Sequence, residues 1–171
     1  MRKTTIALAF LVAWFVAMPT GWAQKPDDKE HAELAKALKD AKVSLQRGMT
    51  ASAKEGKPIS AKYEVEDGKL QLSVYTMKGD KFSEVVVDHL SGKVLKAEAI
   101  TGGEDLASAK SQSEAMAKAK KPLRAAVGEA LKANKGYRAV SAIPSLKDGH
   151  PVAKVTLVKG GTFKNVWEKL D

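Results

Sequence analysis

The sequence predicts an α+β fold in which helices cover one face of antiparallel β-meanders. Three observations carry this expectation. The stretch Lys57 to Ile100 alternates apolar and polar residues between tight-turn signals, an amphipathic helical pattern runs directly before it, and the same order of elements returns 81 residues later.

Taken from the start, Arg2 and Lys3 precede an apolar run from Ile6 to Met18, followed by Pro19, Gly21 and Ala23. The run falls short of the ~20 residues a spanning helix needs, and small residues lie three and one before a cut after Ala23. Residues 1–23 are therefore expected to be a secretory signal, with a soluble periplasmic or secreted product. Removing Arg2 and Lys3, and no acid, lowers the net charge of +9 by two, to +7. With no cysteine in the chain, disulfides, thiolate zinc sites and cysteine nucleophiles are excluded, and the core must hold the fold unaided.

From Asp28 to about Gly56 the pattern is helical. Leu34, Leu38, Ala41, Leu45 and Met49 form one stripe, with Lys36, Lys39, Asp40 and Lys42 off it. Asp27, Asp28, Glu30 and Glu33 suit the positive end of the helix dipole, and Gly56 and Pro58 suit its end. Gly48 and the Thr50–Ser52 region are poor helix formers, where a kink or early stop can fall.

The first hairpin is set by Asp67-Gly68, a two-residue turn that tolerates positive φ at both positions. It opposes Val65 to Leu70, Tyr63 to Leu72 and Ala61 to Val74, all on one face. Gly79-Asp80 then brings Val85 opposite Val74 and Val87 opposite Leu72. Ser91-Gly92 turns the chain into a fourth strand, Lys93 to Ala99. One face is apolar and needs the preceding helix as its cover.

Thr101-Gly102-Gly103 punctuates the chain, and Glu104 to Lys121 reads as an alanine-rich linking helix. Pro122 opens a further helix striped by Leu123, Val127, Ala130 and Asn134, with Gly136 at its cap. A second meander runs from Arg138 to Asp171. It matches the first without a gap: Ser60-Ala61 with Ser141-Ala142, Asp67-Gly68 with Asp148-Gly149, Val74 with Val155, Phe82 with Phe163 and Val85 with Val166. Internal duplication is the simplest explanation. The second copy is expected to be truncated, with about three strands against four.

The helix-plus-meander order, Gly68 in the first turn and the stretch Glu84-Val85-Val86-Val87-Asp88-His89-Leu90-Ser91-Gly92-Lys93-Val94-Leu95 resemble a PepSY domain, whose recurrent ending is a strand, an Asp, a short turn with Gly, then Val-Leu. The match covers Leu34 to Ala99 well and Pro122 to Asp171 more loosely. The resemblance implies two small envelope modules at 24–100 and 122–171, each a helix on an antiparallel sheet, joined by the linking helix at 101–121. It also implies binding or restraint of a peptidase, or sensing at the cell envelope, in place of catalysis.

The residues themselves offer no catalytic, cofactor or metal site. His31, His89 and His150 occur singly, without a second ligand at metal spacing, although Asp88-His89 is a local pair that could touch a cation. No Ser lies in a G-x-S-x-G elbow, and Gly102-Gly103 and Gly160-Gly161 lack the rest of a phosphate loop. The carboxylates of Glu64 and Glu66 belong to a solvated strand face.

A basic region at 110–138 holds Lys110, Lys118, Lys120, Lys121, Arg124, Lys132, Lys135 and Arg138 against Glu114 and Glu129. Weak contact with anionic surfaces is conceivable there. Nucleic acid is not expected, since Tyr137 is the only aromatic residue of the region and export removes the chain from most of it. The leading expectation is an exported non-catalytic binding module that engages or restrains a peptidase or another envelope protein, with strand-mediated self-association open to it. The alternative is an envelope sensor of a cation or an anionic ligand.

Overall fold

The computed structural model describes residues 26–171; the expected signal segment lies outside them. Seven antiparallel strands form one sheet in the order β4-β3-β2-β1-β5-β6-β7. The first meander is β1 (Lys57–Glu66), β2 (Lys69–Lys78), β3 (Lys81–Val87) and β4 (Val94–Ile100); the second is β5 (Arg138–Lys147), β6 (His150–Lys159) and β7 (Thr162–Lys169). The expected α+β class and the four-then-three strand count both hold. The meanders do not form separate sheets, because β1 and β5 pair with each other.

The register agrees with the turn arithmetic. Val65 opposes Leu70, Tyr63 opposes Leu72, Val85 opposes Val74, and the second meander sets Val155 opposite Ala142 and Val166. Asp67 and Gly68 have φ of 49° and 73°, and Asp148 and Gly149 have 52° and 80°, the left-handed pair that lets a two-residue turn follow the twist of its strands. A bulge also repeats: the pairing shifts between Pro58 and Ser60 and again between Ala139 and Ser141. The extra residues, Ile59 and Val140, are both buried. An inserted residue of this kind lets a strand bury an additional side chain at the cost of one ladder position.

The two copies meet at Ala61↔Ala142 and Lys62↔Ser141. Ala61 and Ala142 are each other's equivalents, so a local two-fold passes between them. The two meanders are thus arranged like the halves of a symmetric dimer within one chain.

Two helices lie side by side on one sheet face: α2 (Leu45–Ser52) and α4 (Leu123–Ala133). Leu45 and Met49 from α2, and Leu123 and Val127 from α4, join Leu72, Val74, Val85, Val87, Val155 and Leu157 in the core. The opposite face over β1, β5 and β6 carries α3 (Gly103–Lys118). There the Ser60 hydroxyl donates to Gln112 Oε1 at 2.6 Å, while Ala109, Ala115 and Met116 are buried. Its small side chains allow a close approach.

The single helix expected over 28–56 is two. Its first part, α1 (Pro26–Ala37), ends before a loop that leads into α2. The Ser44 side chain accepts from Arg47 N at 3.2 Å and starts the new helix, and the amides of Lys42 and Val43 both donate to the His89 carbonyl. Competing partners for the backbone thus interrupt an unbroken apolar stripe. Gly48 does not break α2; a β-carbon there would lie 2.6 Å from Leu72 Cδ2, so the glycine lets helix and sheet approach closely at this point. No helix among the described residues is long and apolar enough to cross a membrane.

Candidate binding surfaces

Asp88 and His89 occupy the link between β3 and β4. The Asp88 carboxylate accepts the amides of Leu90 at 3.2 Å and Ser91 at 2.5 Å. These bonds, those from Ser91 foremost, lower its pKa below the ordinary value of 3.8. The His89 carbonyl holds the loop before α2 at 2.9 and 3.0 Å, and its ring Nδ1 is buried without a hydrogen-bond partner. The pair is therefore occupied in building a turn and docking a loop. His31 stacks on Phe163 with ring centroids 4.2 Å apart, and His150 Nδ1 lies 2.9 Å from Asp171 Oδ2. Among the described residues no three His, Asp or Glu side chains cluster as a metal site would require.

The basic region at 110–138 does not form one surface. Lys110 and Lys118 belong to α3 on one sheet face, and Arg124 and Lys132 belong to α4 on the other. Lys121 pairs with Glu129 at 2.7 Å. Arg138 is structural: Nη1 donates to the carbonyls of Leu38 and Ala41 at 3.1 and 2.8 Å, and Nη2 to that of Val43 at 2.8 Å. Its guanidinium also lies over the Tyr63 ring, 5.3 Å from the centroid. A charge count along the sequence could not reveal this, because the carbonyls it serves lie about a hundred residues away.

Three features remain open to a partner. One is an apolar cleft of about 280 Å³ where the end of α2 meets the start of α4, walled by Met49, Ala53, Pro58, Met116 and Leu123, with Lys57 and Arg124 beside them. The second is β7 at one edge of the sheet. Phe163 and Trp167 fall on its one face, and Trp167 is 58% exposed although it is the largest side chain type a core can use. Val166 points the other way, opposite Val155, and is half-buried against the core. The third is β4 at the opposite edge, exposed along nearly its whole length.

Of these, β7 is the edge anticipated from the repeat, since the second meander stops at its third strand. The cleft went unforeseen: its walls come from four separate elements, each of which reads locally as ordinary core.

No family model matches the chain, and no curated protein matches it. Among solved structures, one named as a "putative lipoprotein" from Clostridium difficile 630 is similar at 13% identity, with a TM-score of 0.43, over 77% of this chain and 89% of that one.

Proposed function

We propose that the chain is an exported, non-catalytic binding protein that holds an extended segment of another envelope protein, a peptidase by the resemblance of its first meander, along β7. The observation that carries this reading is an open sheet edge that presents Trp167. A strand added beside β7 gains main-chain hydrogen bonds, and a large exposed aromatic beside it supplies the contact area and selectivity such complexes need. Export rests on the N-terminal segment of the sequence, and restraint of a peptidase on the resemblance alone. No specific feature favours the cation-sensor reading, because the Asp88 carboxylate is committed to backbone amides.

The test is capture from an envelope extract by the immobilised chain and by a Trp167→Lys variant. Trp167 is exposed, so the change should leave the fold intact; Val166→Asp would instead strain the core. A single protein held by the wild type and lost from the variant, with a blue shift of Trp167 emission on binding, is the expected result. If the partner is a peptidase, its activity should fall when the chain is added. Equal retention by both proteins, with Trp167 emission unmoved, would remove β7 from the reading.

A further inference from the structure

The opposite edge of the sheet carries a different pattern. Strand β4 reads Val-Leu-Lys-Ala-Glu-Ala-Ile, and it is chemically palindromic about Ala97. Antiparallel pairing of this strand with the same strand of a second molecule, centred on Ala97, would set Lys96 opposite Glu98 in both halves. Leu95 is the extra residue of a bulge, since Val86 opposes Lys96 and Val87 opposes Val94, so the regular part of the strand runs from Lys96 to Ile100. We propose that the chain forms a two-fold homodimer through β4, joining two seven-stranded sheets edge to edge.

Three observations support this. First, Lys96 and Glu98 are exposed at 49% and 62% of their side-chain surface and lie on the same strand face, 3.1 Å apart, so both can turn to a partner. In the monomer the two already pair with each other; an antiparallel copy centred on Ala97 is the approaching strand that sets each of them opposite its counter-charge as well, whereas a strand of another sequence would leave one of them facing a like or an apolar side chain. Second, exposed large apolar side chains gather here: Leu90 at 49%, Val94 at 37% and Leu95 at 65%. A second molecule lying along β4 would cover part of this apolar surface. Third, the molecule already joins its two copies in this manner, through equivalent antiparallel strands about the Ala61/Ala142 pair. A small residue at each two-fold lets the backbones meet without side chains colliding.

The proposal is independent of the partner edge at β7. Its test uses residues 24–171, which include every described element, and two single variants, Lys96→Glu and Glu98→Lys. Wild type should sediment as a dimer at hundreds of micromolar. Each variant alone places like charges opposite each other twice and should dimerise about ten- to a hundredfold more weakly. Mixing the two variants restores opposite charges at both positions, so a one-to-one heterodimer should appear. Unchanged circular dichroism, and thermal midpoints that agree at concentrations low enough for all three proteins to be monomers, would show that the variants are folded, as expected for exposed positions. A monomeric wild type overturns the proposal, as does a dimer indifferent to both variants. So does a mixture that remains monomeric, since loss without rescue would mean that the charges act other than by facing each other.

Discussion

The guanidinium of Arg138 does for residues 38–43 part of what continued helix would have done: it supplies donors to the carbonyls of Leu38, Ala41 and Val43 where α1 stops. A charged planar donor suits this task because one rigid group can serve several acceptors at once. Replacing it with Met should cost about 1–3 kcal/mol in urea unfolding: the Ala41 carbonyl would lose this donor outright, while the Leu38 carbonyl would keep the Ala41 amide and the Val43 carbonyl the Tyr63 hydroxyl. Arg138→Lys should recover little, because a single ammonium cannot span three carbonyls. The same group acts on Tyr63, whose hydroxyl donates to the Val43 carbonyl. Burial raises the Tyr63 pKa above 10.0, and the bond and charge of Arg138 oppose that rise. The folded state therefore holds this proton more tightly than the unfolded one. Its contribution to stability is complete below pH 10.0 and is lost as pH rises through the higher folded value. With Tyr75 and Tyr137 changed to Phe, the tyrosinate absorbance should report Tyr63 alone. Its midpoint should move further upward in Arg138→Met, and a midpoint that falls or stays fixed would contradict this account. At this scale the sequence was least legible. Arg138 reads as one more member of a basic run, because nothing nearby in the chain marks the carbonyls it will meet.

Among the elements, the strands were the most legible and the first helix the least. Strand register follows from Asp67-Gly68 and a period of two, both local, so pairing of Tyr63 with Leu72 could be worked out by counting. The bulge at Ile59 escaped that count because the sequence around it is apolar on either reading. The break between α1 and α2 escaped because the Leu34-to-Met49 stripe continues through it, and only the His89 carbonyl and the Arg138 donors, both remote, reveal the loop. Gly48 shows the opposite error. Helix propensity alone says that Gly48→Ala should stabilise by about 1 kcal/mol. The close approach to Leu72, which is wholly buried, says that it should instead destabilise by about 1–3 kcal/mol through overpacking. The second outcome is expected in urea titration. Adding Leu72→Val, which removes the atom nearest the new methyl, should make Gly48→Ala less costly than it is in the wild-type background. Equal cost in both backgrounds would show that packing against Leu72 is not the reason for the glycine.

At the level of the whole molecule, the likeness of the two meanders is legible in the sequence and the way they are joined is not. Strands β1 and β5 are far apart in the chain, and their two paired positions have no local signature. Once joined, the copies share more than a strand pair: α2 and α4 lie against each other, α3 bridges β1 to β5 and β6, and Arg138 of the second copy holds the loop of the first. Such sharing implies cooperative unfolding, since neither meander can open without exposing core that the other helps to cover. Trp167 is the only tryptophan among the described residues and sits in the second copy, whereas far-ultraviolet circular dichroism averages over both. The two signals should therefore give coincident urea curves. Leu72→Ala, wholly within the first copy, should cost about 2–5 kcal/mol and shift the Trp167 curve as far as the circular dichroism curve. If the Trp167 transition stays in place while the dichroism splits in two, the copies fold as separate units, and the shared sheet is a contact between them with little energetic weight.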